Sequence, residues 1–173
     1  PMIDFSLREE QQLLQKTARD FARRVIAPVA ERVRHRTERN YEPWPDCEAM
    51  YRKGRELGFT RLLVPESYGG LGLRCIDATL VFEELAVADI SIAADYFSLN
   101  ATVPLIILAA GTDEQKEAWL TEICGDEAVM LSGALSEPNV AGSELFCPIP
   151  DPKLGIRTFA QRGAVGLDRL ERA

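Results

Sequence analysis

Histidine is almost absent from this sequence, and the single one, His35, lies among arginines in the polar stretch ERVRHRTERN. A Ser-His-Asp or Cys-His site needs a histidine held against its nucleophile, with a pKa near neutrality. His35 has charged sequence neighbours and no apolar frame, so we interpret it as a solvated residue. Hydrolase chemistry of this kind is not predicted.

Cysteines and long apolar runs are also scarce. The four cysteines lie far apart, unlike the close pairs of a zinc site or the dense pattern of a disulfide framework. We therefore expect reduced thiols and no metal site. The most apolar run, Val103 to Ala110, is much shorter than the roughly 20 residues of a membrane span, and the N-terminal PMIDFSLREEQQ is too charged for a signal peptide. These features predict a cytoplasmic protein without a membrane span.

Basic residues are outnumbered, with 20 Lys and Arg against 27 Asp and Glu and a net charge of −7. A general affinity for nucleic acid is therefore not expected. The chain has 173 residues, of which 46% are hydrophobic and 27% charged, which is typical of a globular protein with its own core.

Helical periodicity covers most of the first 125 residues. A capping box of Ser6 and Glu9 predicts the start of a long amphipathic helix, which Pro28 should kink or end. Further helices are predicted from Pro45 to Leu57, from Ile76 to Val87, from Ile90 to Ala109, and after a capping box of Thr112 and Gln115, where Trp119, Leu120 and Ile123 should face inward.

The pattern changes near residue 129, where VMLSGAL, a tract rich in Pro and Gly, and GIRTFAQ indicate short strands joined by a loop. This predicts a mainly α chain with a helical domain over residues 1–127 and the beginning of a β-domain over 128–173. The second part has too few strands to close a barrel or a sandwich.

Three short motifs contain residues of the types found in binding or catalytic sites. In FEELA, we expect one exposed carboxylate and one partly buried and paired with a cation, because adjacent helical residues cannot both face inward. The loop PESYGGLGL has Cys75 where a dinucleotide fingerprint needs glycine, so it is interpreted as a tight turn. From its residues alone, GALSEPNVAGSELF is either a surface turn or a loop whose backbone N–H groups hold a polar ligand.

Taken in order, ELGFTRLLVPESYGGLGL, FEELA, AAGTDEQKEAWL and GALSEPNVAGSEL resemble the signatures of the acyl-CoA dehydrogenase family. The resemblance implies an N-terminal helical domain, then a β-domain and a helical bundle. It also implies an FAD-dependent oxidoreductase that removes α and β hydrogens from an acyl-CoA thioester, with a hydride passing to flavin N5. This chain would supply the first domain and the opening strands of the second.

Site residues follow from the resemblance position by position. The segment that would run along the flavin is Gly133, Ala134, Leu135 and Ser136, with Ser136 where the family usually has threonine. The substrate positions are Ser143, Asp95, Ser98 and Leu99. One extra residue between Pro138 and Gly142 departs from the family pattern and affects the placement of Ser143. The family's catalytic glutamate belongs to the helical bundle, so no catalytic base is named here.

The resemblance further implies fatty acid metabolism, an acyl-CoA substrate, an electron-transfer flavoprotein or similar acceptor, and a homo-oligomer when full-length. We expect the 173 residues alone to be inactive. Two alternatives stay open: a shortened, non-catalytic relative that serves as a helical interaction module, and a flavin oxidase or monooxygenase of the same fold.

Overall fold

The computed structural model describes residues 6–34, 45–125 and 131, together with the backbone of 158–163 and 166–172. It divides into two compact units, Pro1–Ser132 and Gly133–Ala173. The described part of the first unit is helical, and that of the second is a pair of strands, which confirms the predicted fold class. The domain boundary after residue 127 stays a prediction, because residues 126–130 lie outside the described chain.

The helices of the described residues follow one another in the first unit. They are α1 (Glu9–Phe21), α2 (Ala27–Arg34), α3 (Pro45–Glu56), α4 (Cys75–Ala88), α5 (Ile90–Phe97), α6 (Val103–Ala110) and α7 (Asp113–Cys124). Two π turns, Ala22–Ile26 and Ser98–Thr102, join α1 to α2 and α5 to α6, and a 3₁₀ turn covers Glu66–Tyr68.

The second unit contains an antiparallel pair, β1 (Thr158–Gly163) and β2 (Gly166–Arg172). Thr158 lies opposite Arg172, and the register is irregular between Gln161 and Gly163. The strand expected in GIRTFAQ is thus present over its second half. The strand expected in VMLSGAL lies outside the described residues, apart from Leu131.

Helix α1 begins later than its sequence pattern suggested. The N–H of Arg8, which flanks the helix, donates to Gln11 Oε1 over 3.0 Å. Glu9 is the first helical residue, so it cannot occupy the third position of a capping box that starts at Ser6. That box was predicted wrongly, whereas the box of Thr112 and Gln115 is confirmed at the start of α7.

Both π turns are placed just before a proline. The N–H of Ala27, before Pro28, bonds the carbonyl of Ala22, and the N–H of Val103, before Pro104, bonds that of Ser98. A proline inside an α-helix lacks the N–H for the carbonyl four residues back and its ring clashes with that carbonyl. The wider π turn moves the proline ring away from that carbonyl. Pro28 therefore distorts the helix without ending it, and the helix continues to Arg34.

The hydrophobic core of the first unit is built around aromatic rings. Phe21 of α1 meets Phe59 and Tyr96 edge-on, with ring centroids 5.5 and 6.1 Å apart. Other buried members are Ala18, Ile26, Met50, Leu62, Val81, Leu85 and Leu99. Edge-to-face contacts of this kind add to the free energy of burial, so α1, α5 and the chain after α3 are held at one centre.

A second, smaller cluster lies under α7. It consists of Val64, Leu120, Ile123 and Cys124. Leu120 and Ile123 are buried as expected, but the prediction for Trp119 was wrong, since 53% of its surface is exposed. The buried stripe of α7 runs along Leu120 and Cys124, which are one turn apart, and Trp119 falls at its edge.

The helical stretch Ile90–Ala110 is long and apolar enough to cross a membrane by length and composition alone, with a mean hydropathy of 1.5 over its best window. The sequence pattern missed this, because only its last third, Val103 to Ala110, reads as an unbroken apolar run. Helices in the cores of soluble proteins satisfy the same criterion, and 33% of this window is buried in the fold. The absence of a membrane span stays a prediction.

Two buried or half-buried polar pairs tie α1 to α4. Arg19 donates from Nε and Nη2 to the two carboxylate oxygens of Glu84, over 2.9 and 2.6 Å. Gln11 Nε2 donates to Asp77 Oδ1 over 2.7 Å. Glu83 is exposed, so the expectation for FEELA is confirmed. The hydrogen bond and charge of Arg19 lower the pKa of Glu84.

The loop between α3 and α4 turns back on itself. The N–H groups of Leu71, Gly72 and Leu73 donate to the carbonyls of Arg61, Val64 and Leu62, over 2.8 to 3.0 Å. A Cβ added at Gly70 would lie 2.0 Å from the Val64 carbonyl oxygen. The glycines of PESYGGLGL therefore allow a tight turn, as the sequence indicated.

We expect Gly70→Ala to lower the free energy of unfolding by about 3 kcal/mol or more, because its methyl group would overlap a backbone carbonyl. Gly72→Ala is the matched control. A Cβ there would meet only ordinary contacts, with the side chain and backbone N of Glu66 at 3.4 and 3.7 Å, but its φ of +56° is left-handed, so the change should cost about 1–2 kcal/mol. Urea unfolding measures both losses, and equal losses would contradict the expectation.

The pair of Arg19 and Glu84 predicts a pH dependence. A carboxyl group whose pKa is lowered by folding contributes stability above its unfolded pKa, and the contribution is lost as pH falls through the folded value. We expect the gap in Tm between the wild type and Glu84→Gln to close as pH falls below the ordinary value of 4.5. Thermal unfolding at several pH values measures this. Glu83→Gln controls for loss of one charge, and a constant gap would refute the role of the pair.

Candidate functional site

The residues matched to the flavin and to the CoA portion are not placed by the structure. Gly133, Ala134, Leu135, Ser136 and Ser143 lie outside the described residues, so their roles stay predictions. The described candidates are Asp95 near the end of α5, and Ser98 and Leu99 in the π turn that follows.

Asp95 is exposed, and its carboxylate is held by a buried tyrosine. The hydroxyl of Tyr51 in α3 donates to Asp95 Oδ2 over 2.6 Å. Burial, and then this hydrogen bond, raise the pKa of Tyr51, so its hydroxyl remains a donor at physiological pH. Tyr51 was missed by sequence reasoning, because nothing in the pattern links two residues 44 positions apart.

Ser98 and Leu99 differ in their surroundings. Ser98 is partly buried, and its N–H bonds the carbonyls of Ala94 and Asp95. Leu99 is 2% exposed and belongs to the hydrophobic core. The structure therefore brings the three candidates onto consecutive turns of one helix, but only Asp95 and Ser98 reach the surface of the described chain.

Asn100, the next residue, was also missed by sequence reasoning. Its side chain is completely buried. Its Oδ1 accepts from the N–H of Leu62 over 2.5 Å, and its Nδ2 donates to the carbonyls of Phe59 and Tyr96 over 2.8 and 2.7 Å. A lone asparagine in an apolar helical pattern is the only signal in the sequence that could have identified it.

The end of α7 is fixed by two arginines from the chain around the α3–α4 loop. Arg61 Nη1 donates to the Cys124 carbonyl over 2.9 Å, and Arg55 Nη1 donates to the carbonyl of Gly125. Cations at a helix C-terminus meet carbonyls that have no partner in the helix and the negative end of its dipole. The same end carries the buried Cys124, whose pKa is raised by burial.

The described surface contains open grooves. One apolar groove of about 460 Å³ lies between α6 and α7, lined among others by Ile106, Ile107, Trp119 and Leu131. A second, of about 390 Å³, lies between α1 and α3, where Phe21 and Leu57 are flanked by Arg24 and Lys53. Neither is lined by Asp95 or Ser98.

The described residues contain no group of three or more His, Cys, Asp or Glu side chains that could hold a metal ion. The prediction of no metal site stays a prediction for the whole chain. The segment predicted to hold FAD, Gly133 to Ser136, lies outside the described residues.

Known proteins resemble this chain in sequence and in helical arrangement. Residues 8–127 match the family model described as acyl-CoA dehydrogenase, N-terminal domain. The chain is 33% identical over 144 residues to the mitochondrial isobutyryl-CoA dehydrogenase of Dictyostelium discoideum, covering 83% of this chain and 32% of that protein. It is 34% identical over 143 residues to acryloyl-CoA reductase (NADH) of Anaerotignum propionicum, covering 82% and 34%.

A solved structure agrees with the sequence comparison. Butyryl-CoA dehydrogenase from Megasphaera elsdenii superposes with a TM-score of 0.64 at 28% identity, over 79% of this chain and 34% of that one. The chain thus spans about a third of the length of the relatives it matches.

The hydrogen bond between Tyr51 and Asp95 predicts an energetic coupling. Tyr51→Phe and Asp95→Ala should each lower the free energy of unfolding by about 1 kcal/mol, and the double variant should lose much less than the sum. Tyr96→Phe is the control, since its hydroxyl lies 3.4 Å from the Met50 carbonyl and has no bond to Asp95. Additive losses for Tyr51 and Asp95 in urea unfolding would contradict the coupling.

Proposed function

Because the chain belongs to the acyl-CoA dehydrogenase family, we propose that it is the N-terminal portion of an FAD-dependent enzyme that oxidises an acyl-CoA thioester at its α and β carbons. The observation that carries the proposal is the family match over residues 8–127, followed at once by the segment GALSEPNVAGSEL. The chain spans about a third of the length of these relatives. The activity is therefore proposed for the whole protein.

The flavin would be held by the segment from Gly133 to Ser136. Backbone N–H groups of Leu135 and Ser136 would bond the pyrimidine edge of the flavin, and the Ser136 hydroxyl would approach N5. Fixed donors at these places stabilise the negative charge of reduced flavin, which is how a protein commonly tunes such a cofactor. When bound, FAD supplies the acceptor for the hydride from the β carbon.

By the resemblance, Ser143 would contact the CoA portion of the substrate, and Asp95 and Ser98 would line the floor of the acyl pocket. The bond from Tyr51 fixes the Asp95 carboxylate, so this side chain would border the acyl group in a defined position. Leu99, packed in the core beneath, would support that surface. The base that takes the α proton is not assigned to any residue of this chain.

Further properties belong to the same proposal. We place the protein in fatty acid metabolism in the cytoplasm, as a homo-oligomer that passes electrons to an electron-transfer flavoprotein or a similar acceptor. The reverse direction is a second candidate, because one relative of 34% identity is named as an acryloyl-CoA reductase that uses NADH.

The proposal predicts a yellow full-length gene product whose flavin absorbance is bleached by an acyl-CoA under anaerobic conditions and recovers with an electron acceptor. A panel of acyl-CoA chain lengths identifies the substrate, and an enoyl-CoA with NADH tests the reverse direction. The isolated 173 residues are the control and should bind FAD weakly or not at all by calorimetry. A full-length protein without flavin and without turnover in either direction would refute the proposal and favour an interaction module.

A further inference from the structure

Asn100 joins two parts of the chain that are distant in sequence. Its amide is wholly buried, and its three hydrogen bonds end on backbone atoms of Phe59, Leu62 and Tyr96. Both of its N–H donors and its oxygen are therefore in use. Such a fully satisfied buried amide rigidifies the groups around it, whereas its loss would leave each partner unpaired away from water.

The sequence after Asn100 disfavours a regular α-helix at the turn that carries it. Pro104 lies four residues after Asn100 and offers no N–H to the Asn100 carbonyl, and the turn opens to the π form at Ser98–Thr102. A π turn is a local departure from the α-helix and needs support from its surroundings. Here the Asn100 side chain supplies bonds to the neighbouring loop.

The loop on the other side is itself firmly held. Leu62 is completely buried, and its carbonyl accepts from Leu73 N–H over 2.8 Å. Arg61, its neighbour, bonds the Cys124 carbonyl at the end of α7. The segment Phe59–Leu62, to which Asn100 bonds, is thus held in place. It forms a platform that can hold the π turn in one position.

We propose that Asn100 is a positioning residue that fixes the π turn Ser98–Thr102 to the platform Phe59–Leu62, and so sets where Ser98 and the preceding turn with Asp95 stand beside the acyl chain. The effect of Asn100 on the substrate rests on the proposed function. The hydrogen bonds of Asn100 do not depend on that function. Without them, the turn can shift or rotate, and displacement of a substrate-bordering group by about 1 Å is enough to change rates strongly.

The first experiment compares substrate preference in the full-length enzyme. Asn100→Leu keeps most of the side-chain volume and removes all three bonds. We expect it to change the ratio of kcat/KM between long and short acyl-CoA substrates by about tenfold or more. Leu85→Ala is the control, because Leu85 is fully buried in α4 and makes none of these bonds; it should lower Tm while leaving the ratio within about twofold. An equal, uniform loss of rate in both variants would overturn the proposal.

The second experiment tests the hydrogen bonds by a measurement that does not depend on enzymatic activity. Amide hydrogen exchange of the full-length protein should be faster at Leu62 and across Ser98–Thr102 in Asn100→Leu, and unchanged there in Leu85→Ala. Asn100→Ser takes its place if Asn100→Leu does not fold. Unchanged exchange at these sites would overturn the positioning role. Faster exchange in a protein that oxidises no acyl-CoA would support that role and count against the proposed function alone.

Discussion

The burial of the Tyr96 side chain against α3 is the constraint on which the centre of the helical unit depends. A Cβ at Gly54 would overlap the hydroxyl oxygen of Tyr96, which is completely buried, so this ring fits only because residue 54 is glycine. Tyr96 then reaches the rings of Phe21 and Tyr51, with centroids 6.1 and 5.3 Å away. Because these contacts lie at the centre of the core, they help to hold α1, α3 and α5 together.

Two polar contacts lie beside this core. The Tyr51 hydroxyl donates to Asp95 Oδ2 over 2.6 Å, and Asn100, in the π turn after α5, bonds the chain after α3. A buried polar group is tolerated only if it is hydrogen-bonded, and here each of these groups has a partner. The packed core and the candidate substrate surface are therefore parts of one arrangement.

Prolines inside helices give this domain its local irregularities. Pro28 and Pro104 each follow a π turn by two residues, and the second turn holds Ser98. π turns inside helices are frequent at functional sites, since they redirect side chains that a regular helix would place elsewhere. In this fold the turn is combined with an asparagine that bonds it to the neighbouring loop, so the candidate substrate surface is supported by the core beneath it.

Much was determined by the amino-acid sequence itself. Apolar periodicity, prolines and caps predicted the helices of the first unit to within a few residues, because these signals act through neighbours along the chain. Four ordered motifs identified the family. The start of α1 and the direction of Trp119 were predicted wrongly, since the choice between neighbouring caps and the edge of a buried stripe depends on what packs against the helix.

The tertiary structure alone decided the partners of polar side chains. Tyr51 with Asp95, Arg19 with Glu84, and Asn100 with Leu62 are separated by 44, 65 and 38 residues. No local pattern encodes such pairs, because they form only when helices distant in sequence come together around a common core. The sequence identified the family and the candidate residues, and the hydrogen bonds of Tyr51 and Asn100 showed how those on the π turn and the turn before it are held.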